Sequence, residues 1–247
     1  MKLTRPAGEP KNLDEAFWLS VCGEAEPSTR EKFLHLTIHE FARLGPAQFS
    51  HAHTARRLGV TVAMVNHYFG SRAGLIAEAA FTVYEGYIKA MGDAVAHAER
   101  TPEARLRAWI ETQISHAVTV PAWNLVLNYP EVSLENAVEF ETEFREQMTA
   151  LFTLNVCRLA QLILDVQRNE VFPHEITAEN VDLAQYMGDR DLVALGSSIS
   201  MATLGAAVWA AGSHAPSAES PEAIAVGDFA LAAHVDLLIS MARTQGK

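Results

Sequence analysis

The run Thr61-Val62-Ala63-Met64-Val65-Asn66-His67-Tyr68-Phe69-Gly70-Ser71-Arg72 packs a hydroxyl, small apolar groups, a carboxamide, an imidazole and a phenol into two helical turns, then a Gly-Ser break and a cation. On a helix, Val62, Ala63, Asn66 and His67 share a face able to touch thymine methyls, adenine edges and phosphates. Arg72, just past the break, stands where a helix start and a positive charge would together attract a phosphate. Ser50 and His51, upstream, and Thr61 and Tyr68, on the segment itself, complete the candidate contact set.

These groups need elements to hold them. His53 to Leu58 reads as a helix that stops at Gly59, a residue type that tolerates the positive φ of a tight corner between crossed helices. Ser50 is placed to cap that helix, Ala55 is small enough for a close crossing, and Val60 and Val65 are apolar where the two helices would meet. Thr61 is expected to cap the second helix. Together the segments read as a helix-turn-helix; a bare helical corner without a ligand is the plainer alternative.

On these residues, the stretch from about Ser28 to Leu75 resembles the DNA-binding domain of TetR-type (tetracycline-repressor-like) transcriptional regulators. The matching elements are Phe41 and Gly45, Ser50, Ala55, Gly59-Val60-Thr61, His67-Tyr68-Phe69, Gly70-Ser71-Arg72 and Leu75, about a fifth of the chain. Thr54 stands where the family favours an aliphatic residue, Asn66 where it favours tyrosine, Ala52 where it often has arginine, and Arg72 where lysine is usual. The resemblance implies an all-α protein with an N-terminal three-helix DNA-binding domain and a C-terminal helical domain for ligand binding and dimerisation. It implies double-stranded operator DNA and a small-molecule effector as partners, and repression relieved by that effector.

Charge is divided accordingly. The 247 residues carry a net charge of −11, but the segment 28–75 carries +4 and the remainder −15. Phosphate affinity follows local cations, while an acidic remainder is repelled by DNA. His35 and His39 are four apart on one helix, which is metal-ligand spacing, but no third ligand is evident and neither a metal nor another cofactor is expected. His51, His53 and His67 read equally as neutral phosphate donors and as solvated surface. Cys22 and Cys157 have neither CxxC nor metal spacing, so inert thiols are expected. The start of the chain lacks the pattern of a signal peptide, which predicts a cytoplasmic protein.

Domain boundaries are placed at 1–27, an arm with an apolar face of Leu13, Ala16, Phe17 and Val21 that either packs on the next domain or is disordered; at 28–75, the DNA-binding domain; and at 76–247. In the last, helices are expected over Ala77–His97 and from Pro102, with Trp109 and Ile110 at helical spacing, and over about Leu134–Glu170. The stripe Phe140, Phe144, Met148, Phe152, Val156, Leu159, Ile163 and Val166 should be the buried face of that long helix. Tyr84, Trp109, Trp123, Asn128, Phe144 and Met148 are candidate effector contacts, though such aromatics also make ordinary core.

Leu192 to Gly212 holds no charged residue and is long enough to span a bilayer, yet its glycines, serines and alanines suit a helix buried all round by protein, and no membrane association is expected. A last helix over about Pro221–Arg243 can pair with it. The resemblance makes these two helices a homodimer interface, with Ala202, Gly205, Ala206, Leu231, Val235 and Leu238 as candidates; a core helix pair within one chain is the alternative. An enzyme is the rival class, and the chain has no GxGxxG, phosphate-loop, GxSxG, HExxH or Glu-x-x-His signature. A helical scaffold without DNA binding is the other.

Overall fold

A computed structural model of the chain describes residues 13–44, 48–119, 144–213 and 221–244. Among them the regular structure is entirely helical, so the protein is all-α. The helices are α1 (Glu15–Cys22), α2 (Thr29–Leu44), α3 (His51–Arg57), α4 (Ala63–Phe69), α5 (Arg72–His97), α6 (Pro102–Thr119), α7 (Arg145–Arg168), α8 (Ala184–Met187), α9 (Arg190–Ser213) and α10 (Pro221–Thr244). Their starts have local causes. Ser28 and Glu31 form a reciprocal capping box: the Glu31 carboxylate accepts the Ser28 N–H at 2.7 Å and the Ser28 hydroxyl accepts the Glu31 N–H at 3.3 Å. Asp14 caps α1, Ser71 caps α5, Thr101 caps α6 ahead of Pro102, and Asp189 caps α9.

The described residues fall into two compact units, an N-terminal one of residues 13–44, 48–85 and 144–146 and a C-terminal one of residues 86–119, 147–213 and 221–244. Helix α5 is continuous across both this division and the 75/76 boundary read from the sequence. In the N-terminal unit α1 packs on α2, α2 on α3, and α3 on α4. The segment read as arm or disordered leader therefore includes a helix whose Phe17 and Trp18 join Leu36 in one apolar cluster. His39 of α2 meets the Phe17 ring edge-on at 5.4 Å, and burial pushes His35 below the usual imidazole range. Both histidines thus lie against α1.

In the C-terminal unit α9 packs on α6 and α10, and α10 on α6. Leu106, Trp109, Ile110 and Ile114 of α6 are buried, as are Leu192, Leu195 and Ile199 of α9. Arg107 pairs with Asp236, and Arg243 with Glu103, across α6 and α10; these exposed pairs add little.

The stripe expected on the long helix is corrected. Phe144 lies in a bend before α7, which starts at Arg145; residues 134–143 lie outside the described residues. Phe152 is 61% exposed, and burial follows Leu154, Cys157 and Ala160 instead, then nearly the whole circumference from Leu159 to Ile163. Leu159, Ile163 and Val166 of the expected stripe are buried as read, so the correction falls on its N-terminal half, where a three-and-four step can be drawn through more than one face of an apolar helix. Helix α9 is likewise not buried all round: Met201, Val208 and Trp209 are exposed. By length and composition two helices, 145–168 and 190–210, could cross a membrane.

Two tests follow. Leu106→Ala should cost about 2–5 kcal/mol in chemical denaturation, whereas Phe152→Ala should stay within about 0.5 kcal/mol; a large loss at Phe152 would contradict the packing described. Burial on α6 pushes His116 from 6.5 down to about 4. The unfolded chain then holds the extra proton between those values, so stability is complete above about pH 6.5 and falls by about 3 kcal/mol as pH drops to 4. His116→Gln should flatten that part of the pH–stability curve.

Candidate nucleic-acid interface and ligand cavity

Helices α3 and α4 are joined by a tight turn centred on Gly59, whose φ of 70° is left-handed and favours glycine. Ser50 caps α3, its hydroxyl accepting the His53 N–H at 3.4 Å, and the Val60 N–H donates to the Ala55 carbonyl at 3.0 Å to close the corner. Ala55 and Val65 are fully buried where the helices meet, and Phe69 meets Phe33 of α2 edge-on at 6.3 Å. The capping role read for Thr61 is corrected. Val62 is the residue at the cap position, no side chain caps α4, and the first turn closes through the Thr61 and Val62 carbonyls, which accept from Met64 and Val65.

Thr61, Val62, Ala63, Asn66 and His67 are all exposed on one side of α4. Tyr68 is half-buried, its ring 4.9 Å from that of His67. Arg72 opens α5 directly after Gly70, whose φ is 72°, and Ser71. His51 at the start of α3 feels Arg72: burial first and that positive charge second hold its imidazole below the ordinary value, so it is a neutral donor or acceptor at neutral pH. The turn therefore leaves a contiguous face of Thr61, Val62, Ala63, Asn66 and His67, with Ser50, His51 and Arg72 drawn toward helix starts.

A network invisible to motif reading holds α3 in place. Glu40 of α2 is fully buried; it pairs with Arg57 at 2.7 Å, accepts the Thr54 hydroxyl at 3.1 Å, and lies 3.8 Å from the His53 imidazole. A buried carboxylate is tolerable only when so matched. Thr54 supplies the polar partner that an aliphatic residue could not. Arg57 is thereby committed inside the fold, and Arg30 is paired with Glu78 at 2.6 Å while lying over the Phe69 ring. Among the cations of segment 28–75, Arg30, Arg43 and Arg56 are exposed.

The candidate effector residues are not gathered into one site by the described structure. Trp109 is core, its indole N–H donating to Asn155 at 3.3 Å, and Met148 is a half-buried residue of α7. Tyr84 and Phe144 belong to the N-terminal unit, Phe144 stacked on Phe81 at 5.0 Å and Tyr84 pushed up to about 12 by burial. Trp123 and Asn128 lie outside the described residues. A cavity of about 250 Å³ lies elsewhere, within the C-terminal unit, among α5, α6, α7 and the segment after α7. None of the six lines it. Its walls include Arg105, Arg158, Asp165 and Glu175, which no sequence motif marks because they come from three separate parts of the chain.

The candidate dimer residues divide by burial. Leu231, Val235 and Leu238 are almost wholly buried within one chain, so they cannot face a second copy without unpacking α10. Ala202 and Ala206 are half-buried, Ala202 accepting a hydrogen bond from or lying against His234 at 3.2 Å, and only Gly205 of the six is exposed. The outer apolar side of the pair is instead Met201, Val208 and Trp209 on α9 and Leu237 on α10.

No family model matches the chain, and neither does any curated protein or solved structure.

Removing the Glu40 carboxylate should show what positions α3. Glu40→Ala removes the buried carboxylate that pairs with Arg57 and accepts the Thr54 hydroxyl and should cost about 3–5 kcal/mol in urea denaturation followed by circular dichroism, with Arg56→Ala, at an exposed cation, within about 0.5 kcal/mol. Equal small effects would mean the buried pair does not hold the helix.

Proposed function

We propose that the protein is a cytoplasmic, homodimeric transcriptional regulator of the TetR type, in which α1–α4 and the start of α5 bind operator DNA and the remaining helices bind an effector and a second copy. The observation that carries this reading is the α3–turn–α4 corner: a glycine-centred turn, a buried seam at Ala55 and Val65, and an outward face of Thr61, Val62, Ala63, Asn66 and His67. That face is the size and chemistry of a helix read in a major groove, with apolar contact from Val62 and Ala63 and hydrogen bonds from Asn66. Arg72 and Ser50 at helix starts, and His51 beside Arg72, are suited to phosphates that set register and carry no sequence information.

Two reading helices must be about one helical turn of DNA apart, roughly 34 Å, which requires a fixed dimer. The exposed apolar side chains Met201, Val208 and Leu237 make the outer side of α9 and α10 the surface for it in this reading. An effector that binds the two DNA-affinity states unequally then releases the operator, and a coupling of roughly 1–3 kcal/mol suffices for an approximately 5- to 150-fold change.

Selection of genomic fragments followed by anisotropy titration tests the reading. Arg72→Ala should weaken binding to every fragment and lower the salt slope by about one unit, whereas Asn66→Ala or Val62→Ala should reorder preference among fragments. No retained fragment at low salt would leave a helical scaffold as the better description. For assembly, Val208→Arg and Leu237→Arg should give folded monomers with lost operator binding, while Val235→Arg should unfold the chain by burying an unpaired charge. Sedimentation that still shows dimers for both surface variants would move the interface elsewhere.

A further inference from the structure

The cavity of the C-terminal unit has unmet bonding capacity at two places. Asp165 is 2% exposed, and its Oδ1 accepts the Gln161 carboxamide N–H at 2.7 Å, but its Oδ2 has no hydrogen-bond partner among the described residues. The nearest cation, Arg105, approaches that oxygen only to 3.9 Å, because its guanidinium is engaged by Glu175 at 2.6 Å. Burial raises the Asp165 carboxyl above its usual range, against the opposing pull of the Gln161 side chain, the Phe172 backbone N–H and Arg105. Gln161 is itself fixed by the Tyr186 hydroxyl at 3.0 Å, so Asp165 cannot simply turn away.

The second place is Arg158. Its guanidinium donates to the Ile176 carbonyl at 2.9 Å and the Ile88 carbonyl at 3.4 Å, and the carboxylates that act on it, Glu175 and Asp93, do so without an ion pair within 4.0 Å. It lies against Gly92, where an added Cβ would sit 2.8 Å from Nη1. Glycine at that position is what lets the guanidinium reach across α5. Arg158 and Asp165 are seven residues apart on α7, hence on one face and about 10 Å apart along the axis. Leu162 lies between them, with Val95 and Phe172 also on the wall.

We propose that this cavity binds an elongated zwitterion, a molecule with a carboxylate at one end for Arg158, an ammonium at the other for Asp165 Oδ2, and an aliphatic span over Leu162 and Phe172. The lining charges Lys89, Arg105 and Arg158 against Asp93, Asp165 and Glu175 balance, which suits a ligand of zero net charge with its charges separated. The volume admits an ω-amino acid or a dipeptide of small residues and little more. As the effector site this deepens the regulatory reading and rests on it; as a binding site it does not.

Calorimetric titration of the full chain, without DNA, with 6-aminohexanoate, hexanoate and hexylamine tests the assignment. Saturable binding is expected for 6-aminohexanoate alone. Asp165→Asn, which keeps the shape, and Gly92→Ala, which displaces the Arg158 guanidinium while keeping its charge, should each weaken that binding at least about tenfold. Thermal melting of both variants guards against misfolding, and either one that folds suffices. Binding of hexanoate or hexylamine as tight as that of 6-aminohexanoate, no binding by any of the three, or affinity unchanged in the folded variants would each overturn the proposal. Binding by 6-aminohexanoate that leaves DNA affinity untouched would support the site and count against the regulatory reading instead.

Discussion

The carboxylate of Glu40 has no surface exposed to water, and the whole α3–α4 corner is hung on its neutralisation. An unpaired ion there would be costly enough to unfold a marginal domain, so Arg57 and Thr54 of α3 must both face α2. Once that side of α3 is fixed, its opposite side and the turn follow: Ala55 faces the seam with α4, Gly59 turns the chain, and α4 has only Val65 and Phe69 to bury. What remains on α4 must face outward. The chemistry offered to a duplex in the proposed function is thus the residue of a packing decision made one helix earlier.

Local signals in the sequence carried the elements well. Gly59, Pro102 and Pro221 mark boundaries because they act on φ and on N–H supply, which any chain context respects. The capping box of Ser28 and Glu31 carries the same kind of information, since its partners are three residues apart. Thr61 misled because a hydroxyl before a helix is only a candidate cap. The first turn of α4 is instead closed by backbone carbonyls, leaving Thr61 exposed.

Faces of the longer helices were harder to read for a different reason. Apolar residues on α7 and α10 exceed what one stripe needs, so the three-and-four rhythm fits several faces and only the neighbouring helices decide. Phe152 is exposed and Cys157 buried for that reason, and Leu231, Val235 and Leu238 are core of one chain although their spacing is equally that of an interface. Interface and core differ in what they meet, and periodicity does not record it.

Charge counting shows the same limit at the level of single residues. The net +4 of segment 28–75 treats its cations as equivalent, yet Arg57 neutralises Glu40, Arg30 is paired with Glu78, and Lys32 lies over the Trp18 ring. Ionic groups already matched within a fold contribute little to an external phosphate, because moving them would expose the partner they leave. The effective footprint is therefore smaller than the formal one. In the C-terminal unit matching is incomplete: Arg158 donates to backbone carbonyls, and Asp165 Oδ2 has no hydrogen-bond partner among the described residues, although Oδ1 accepts from Gln161 and Arg105 lies 3.9 Å away. Net charge describes what a domain repels; the unmatched groups describe what it can hold.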